Sequence, residues 1–300
     1  MIVITGATGN TGKPAAAALL AKGEKIRVIG RDASKLQQFV HKGAEAAVGS
    51  VDDPAFLRKA FQGAQAAYLL IPPDMRTNDY RGYQEKIVAA YAPAIGEAKI
   101  PYVVTLSSVG ADLTEKSGPI LGLHDLEVKL NAIKGLNVLH LRPAGFMENL
   151  FMSVQPLRTM GTLPGPMPGD AMHAMIAARD IGAYAAERLH ARDFTGSSAQ
   201  ELHGQRDVTM KEVASIVGNA IGKPKLGYMQ VPFMMLEPAL VQTGLPRSTV
   251  ALMIEMWKSM NSGALKLHEP RNAKNTTPTS IETFVTEVFA PAYSSMAAKA

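Results

Sequence analysis

Three hundred residues, 47% hydrophobic and 19% charged, suffice for a sizeable core and leave room for one large domain or two modest ones. The absence of cysteine excludes disulfides, thiolate catalysis and cysteine metal sites, and no apolar run reaches the roughly 18 residues of a membrane span. A net charge of +5 spread along the chain, with few aromatics to stack bases, argues against a nucleic-acid surface.

Ile2 to Thr5 is a short apolar, β-branched run, as expected of a strand buried on both faces. Because it begins at residue 2, no leader is expected ahead of the fold, and the cytoplasm is the expected compartment. Gly6, Gly9 and Gly12 follow at once and lead into an alanine-rich helix that Gly23 ends. In a strand, turn and helix of this kind, one glycine turns the chain and a second lets a pyrophosphate approach the main chain. The third lets the helix pack closely on the sheet. The phosphates then meet N–H groups at the positive end of the helix.

Ile26 to Ile29 is the second strand, left through Gly30-Arg31-Asp32. That turn adjoins the adenosine ribose in this fold, where an acid accepts from a free 2'-hydroxyl and an arginine binds a 2'-phosphate. Arg31 comes first, with Lys35 one helical turn later, in a neighbourhood that also holds Lys22, Lys25 and Arg27. NADP(H) is therefore the expected cofactor, and Asp32 is expected to cap the helix Ala33 to Val40.

Ala44 to Val48 reads as the third strand, Asp52-Asp53-Pro54 as a helix start, and Ala66 to Ile71 as the fourth strand, stopped by Pro72-Pro73. A long helix from about Asp79 to Ala98 precedes a fifth strand, Tyr102 to Ser108; a helix over Gly122 to Lys134 precedes a sixth, Val138 to Leu141. This alternation implies α/β architecture, a parallel doubly wound sheet with right-handed crossovers. Beyond Pro143 the rhythm changes. Phe146 to Phe151 suggests a short helix, and Gly161 to Gly169, with three glycines and three prolines, a loop at a substrate mouth. Arg179 to Ala191 is helical, and capping boxes at Thr209-Met-Lys-Glu212 and Thr279-Ser-Ile-Glu282 place two more helix starts. Between them come a strand, Gly227 to Val231, and methionine-rich helices, Phe233 to Val241 and Ser248 to Met260, whose methionines read as adaptable core.

Four segments in this order resemble the NmrA-like family of atypical short-chain dehydrogenases/reductases: Thr5-Gly-Ala-Thr-Gly-Asn-Thr-Gly12, Thr105-Leu-Ser-Ser-Val-Gly-Ala111, Leu141-Arg-Pro143 with Phe146-Met-Glu-Asn149, and Ala178-Arg-Asp-Ile-Gly182. The resemblance implies a Rossmann-type domain over about 1–150 and a smaller α+β substrate region over 151–300, partly interleaved with it. It implies NADP(H) at the glycine turn, with Gly6, Thr8, Gly9, Asn10, Thr11 and Gly12 on the pyrophosphate and Arg31 and Lys35 on the 2'-phosphate. Ile71 and Pro72 would border the ribose, and Ser107, Pro143 and Phe146 would lie near the nicotinamide. Two activities occur among such proteins. Some reduce quinones, dyes or other conjugated acceptors; others report the dinucleotide's redox state to a protein partner.

Two departures narrow the chemistry. None of the eight tyrosines is followed four residues later by a lysine, so the usual proton-passing pair of short-chain dehydrogenases is missing, and the corresponding helix start offers Leu123-His124. Ser50 stands where many relatives carry an aspartate after the third strand. His124 is then the candidate proton donor or substrate contact. Histidine spacing suggests no metal site. Hydride addition to a quinone yields a phenolate, whose conjugate acid has a pKa of about 10, like tyrosine's, so a weak donor such as His124, or water, suffices. The expected needs are a flat apolar pocket built from Phe146, Met147, Phe151 and the loop 161–169, a small apolar or aromatic substrate, and a monomer or homodimer.

Overall fold

The computed structural model describes residues 1–297. In chain order the first half is β1 (Ile2–Ile4), α1 (Gly12–Ala21), β2 (Ile26–Gly30), α2 (Ala33–Val40), β3 (Glu45–Val48), α3 (Pro54–Ala60), β4 (Ala66–Leu69), α4 (Tyr80–Ala98), β5 (Tyr102–Leu106), α5 (Leu121–Asn131) and β6 (Asn137–Pro143). The second half is β7 (Gly145–Phe146), α6 (Val154–Met160), β8 (Leu163–Gly165), β9 (Met172–Ile176), α7 (Ala178–Ala191), β10 (Ser197–Leu202), β11 (Asp207–Thr209), α8 (Met210–Ala220), β12 (Tyr228–Gln230), α9 (Phe233–Gln242), α10 (Arg247–Asn261), α11 (Ile281–Phe284) and α12 (Ala290–Ala297).

Seven parallel strands form the central sheet, in the order β10-β6-β5-β4-β1-β2-β3. Ile2, Val3 and Ile4 are fully buried, as a central strand covered on both faces requires. Strand order reverses between β1 and β4, which opens a crevice at their carboxyl ends. Helices α1 and α7 pack on one face of the sheet; α3, α4 and α5 pack on one another at the other. The sheet therefore takes β10, and its helical layer α7, from beyond residue 150.

A second core gathers Met147, Leu150, Leu163, Val213, Val217, Phe284 and Phe289 under two small sheets, β11-β9-β7 and β12-β8. Three expectations need correcting here. Residues 161–169 are not all loop, because Leu163–Gly165 pairs in parallel with Tyr228–Gln230. The helix at residue 281 is capped by Ser280, whose hydroxyl accepts from Thr283 N–H at 3.1 Å; Thr279 is spent on Asp180 instead. The methionines of α9 are not core: no residue of that helix is buried, and Met234 is 82% exposed.

Candidate functional site

The glycine turn lies on one side of the crevice. Gly6 adopts φ +60°, a left-handed conformation that any side chain would strain, and a Cβ there would press on Leu70. A Cβ on Gly12 would lie 2.2 Å from the Gly6 carbonyl oxygen, so the turn closes only with glycine at both ends. Thr8, Gly9 and Asn10 stand exposed on the outer side, while Thr11 and Gly12 are buried where α1 begins. A small exposed loop with backbone to spare, set at the amino end of a ten-residue helix, fits a pyrophosphate. The Thr11 hydroxyl is also a structural anchor, accepting from the buried Tyr68 hydroxyl at 3.0 Å.

Thr5 joins this turn to the next strand. Its hydroxyl donates to the Tyr68 carbonyl at 3.0 Å and accepts from Leu70 N–H at 3.1 Å. Two phenols of α4 hold the segment beyond: Tyr91 donates to the Leu70 carbonyl and Tyr83 to that of Pro72. Buried Ile71 and half-buried Pro72 thus follow directly on Leu70, whose side chain meets Gly6 across the strand reversal.

At the end of β2 the two candidate ribose readers part company. Asp32 accepts from Ser34 N–H at 2.9 Å and from its hydroxyl at 2.6 Å, which holds its carboxyl below the usual range and commits it to capping α2. Arg31 is exposed and forms no ion pair among the described residues. Its charge reaches the Tyr83 phenol and opposes the upward push that burial gives that group. Lys35, also exposed, lies 3.9 Å from Asp32.

The other side of the crevice is built from side chains. Ser107 follows β5 and is 4% exposed; its N–H donates to the Leu141 carbonyl, and Val109 N–H to that of Pro143, so the β5–β6 ladder sets Ser107 beside Pro143. The Ser107 hydroxyl donates to Glu127 of α5, at 2.5 Å. Both oxygens of that buried carboxylate also accept from Arg142 of β6, Oε1 from Nε at 3.0 Å and Oε2 from Nη2 at 2.6 Å. The pair raises the Arg142 pKa, chiefly through these hydrogen bonds. Asp112 approaches the same guanidinium at 3.8 Å and reaches His268 at 3.2 Å on its other side.

One turn before Glu127, His124 Nδ1 lies 2.8 Å from the Ala111 carbonyl oxygen. A carbonyl only accepts, so Nδ1 carries hydrogen and Nε2 is the nitrogen free to exchange a proton. Helix α5 thus clasps the segment after β5 twice, at Ser107 and at Ala111. Below, His140 is 2% exposed: its Nε2 donates to Asn131 Oδ1 at 2.9 Å, and its Nδ1 accepts from Thr105 at 2.8 Å. Burial holds His140 neutral, with its pKa pushed down to about 4, more strongly than neighbouring Glu127 raises it.

Of the three residues expected to wall a pocket, Phe146 is half-buried and packs on the main core. Met147 and Phe151 are packing instead: Met147 is 2% exposed in the second core, and Phe151 stacks on Phe289 at 5.7 Å. Each serves the small core because the 3₁₀ segment Met147–Ser153 turns that side inward. The Glu127–Arg142 pair was the piece absent from the sequence reading. Its signal is the string Val138-Leu-His-Leu-Arg-Pro143, in which an arginine and a histidine in an apolar strand demand a buried partner. Among the described residues no cluster of three or more His, Asp or Glu could hold a metal ion, and no helix is long and apolar enough to cross a membrane.

The sequence pattern of the NmrA-like family matches residues 1–287. This chain belongs to the NmrA-like family. An NAD(P)H azoreductase of Xenophilus azovorans is 26% identical over 261 residues, 86% of each chain. Among solved structures, an NADPH-dependent quinone oxidoreductase from Escherichia coli in complex with NADPH has a TM-score of 0.79 at 23% identity, over 96% of this chain and 100% of that one. A triphenylmethane reductase of Citrobacter has a TM-score of 0.78 at 19% identity, over 97% of this chain and 99% of that one. Both have the fold of this NmrA-like chain.

Proposed function

We propose that this protein transfers hydride from NADPH to a flat, conjugated, apolar acceptor of the quinone type, with no metal in the reaction. The broader assignment, an NAD(P)H-dependent oxidoreductase, accords with its family and with the azoreductase relative. The observation that carries the cofactor choice is the division of labour after β2: Asp32 is spent on its helix, and Arg31 stands exposed without an ion pair among the described residues.

Gly6, Thr8, Gly9, Asn10, Thr11 and Gly12 would hold the pyrophosphate, and Arg31 and Lys35 the 2'-phosphate. Ile71 and Pro72 would border the ribose, with Ser107, Pro143 and Phe146 about the nicotinamide. When bound, NADPH supplies the hydride. What remains for the protein is to exclude water, hold the acceptor within about 3 to 3.5 Å and provide one proton. The relatives' names, azoreductase, quinone oxidoreductase and triphenylmethane reductase, all describe conjugated acceptors. Reduction of a quinone leaves a weakly basic phenolate, so neither a Lewis acid nor a strong acid is required. His124 can give that proton only from Nε2 of its doubly protonated form, because Nδ1–H is engaged by Ala111. His124→Gln, which has no proton to give, is therefore expected to lower turnover.

Steady-state oxidation of NADPH against quinones, azo dyes and triphenylmethane dyes tests the reading; turnover with at least one class, faster than with NADH, is expected. A second reading, a dinucleotide sensor acting through a protein partner, draws on α9, where Met234 and Met235 are exposed. NADPH binding without turnover of any acceptor would favour it.

A further inference from the structure

The Ala178-Arg-Asp-Ile-Gly182 segment lies far from the glycine turn in sequence and directly behind it in space. A Cβ on Gly182 would lie 2.3 Å from the Thr11 carbonyl oxygen, 2.9 Å from Pro14 Cβ and 3.0 Å from Ala15 N. Those contacts are mainly backbone, which cannot rotate aside as a side chain can. The same Thr11 carbonyl accepts from Ala15 N–H at 3.1 Å, a first helical bond of α1. The Thr11 side chain is held as well: the Tyr68 hydroxyl donates to Thr11 Oγ1 at 3.0 Å, and Tyr68 is fully buried.

The helix that carries Gly182 is fixed at its start. Ala178 N–H donates to both carboxylate oxygens of Glu148 at 3.1 Å, and Asp180 accepts from Thr279 N–H at 2.9 Å and from its hydroxyl at 2.7 Å. Glu148 belongs to the Phe146-Met-Glu-Asn149 segment, so one helix start joins the second core to the glycine turn.

We infer that Thr11 is held by two contacts, Gly182 against its carbonyl and the Tyr68 hydroxyl on its side chain, and that this clamp sets the position of the main-chain groups at Thr11 and Gly12 that would meet the pyrophosphate. Gly182 and Tyr68 are positioning residues, acting through Thr11. The inference rests on the cofactor assignment above. A methyl group at 182 must push Thr11 forward or α7 back by several tenths of an ångström. Either movement misaligns charge-assisted hydrogen bonds to the pyrophosphate while leaving Arg31 and Lys35, beyond β2, where they are.

Two ligands separate these effects: NADPH, which uses the pyrophosphate cradle, and adenosine 2'-monophosphate, which lacks a pyrophosphate and relies on Arg31. Titration calorimetry is run on the parent chain, Gly182→Ala, Tyr68→Phe, and Leu189→Ala, which empties a fully buried site lower on α7. Gly182→Ala is expected to weaken NADPH by at least about tenfold and adenosine 2'-monophosphate by less than about twofold. Tyr68→Phe shifts NADPH the same way by a smaller factor and supplies the readout should Gly182→Ala fail to fold. Leu189→Ala lowers the melting temperature and leaves NADPH affinity in place. The inference is overturned if Gly182→Ala, or in its absence Tyr68→Phe, binds NADPH as the parent does, or if Gly182→Ala or Leu189→Ala weakens both ligands alike. A parent chain that binds neither ligand overturns the cofactor assignment as well, and so is told apart.

Discussion

The two sides of the crevice are made of different material. Around β1 and β2 the site is backbone: Gly6 and Gly12 are pressed against each other, exposed residues 8–10 lie at a helix end, and the exposed Arg31 sits at the rim. Around β5 and β6 it is side chain: buried Ser107 and Glu127 and half-buried Arg142 form a set tied by bonds of 2.5 to 3.0 Å. A backbone cradle is specified by omitting side chains, so it depends on few neighbours and costs little desolvation. A buried ion pair must be desolvated, and it holds only while every member is present. The first side suits a ligand whose phosphates are fixed in shape. The second fixes α5, and with it His124, against the strand ends.

If that contrast is right, the largest stability effect comes from the side-chain half. Glu127→Gln leaves the Arg142 charge without its buried partner and is expected to cost about 3 kcal/mol in urea unfolding. The double change Glu127→Leu with Arg142→Met is expected to cost less than the single one, since no charge is then stranded. Equal costs would show that packing alone, rather than the ion pair, holds this side.

His140 gives the same half a pH signature. Its folded pKa, about 4, lies below the 6.5 of the unfolded chain, so unfolding takes up a proton at intermediate pH. Its contribution is therefore complete above about pH 6.5 and is lost as pH falls toward 4, by about 3 kcal/mol in all. Unfolding curves across that window test it, and His140→Asn should flatten the slope.

The backbone half answers to volume instead. Gly12→Ala puts a methyl against the Gly6 carbonyl and is expected to weaken NADPH by at least about tenfold in a fluorescence titration, with no change in the pH profile of unfolding. Unaltered affinity would show that the turn does not meet the ligand.

The same division explains what could be read in advance. The strands β1 to β6, and the caps at Asp32, Asp53 and Thr209, follow from local signals, and each of those side chains accepts from the start of its own helix. Ser197–Leu202 was missed as a strand because it lies at the sheet edge with only Glu201 and Leu202 buried, so its sequence shows no alternation. Leu163–Gly165 is hidden by its proline and glycine, which an edge ladder tolerates. Thr279 and Ser280 both look like caps, and the choice is made by Asp180, 99 residues earlier. Glu127 on a helix reads as a solvated charge until Arg142, 15 residues on, is seen opposite it. Local chemistry was legible; partners brought together by the fold were not.

The central claim is that the exposed cation after β2 reads a 2'-phosphate beside the glycine turn. Its most direct test is titration of the parent chain and Arg31→Ala with NADPH and NADH. The account predicts that the parent prefers NADPH and that Arg31→Ala loses at least about tenfold toward NADPH while NADH changes little. Equal losses for the two dinucleotides, or no binding of either to the parent, would contradict it.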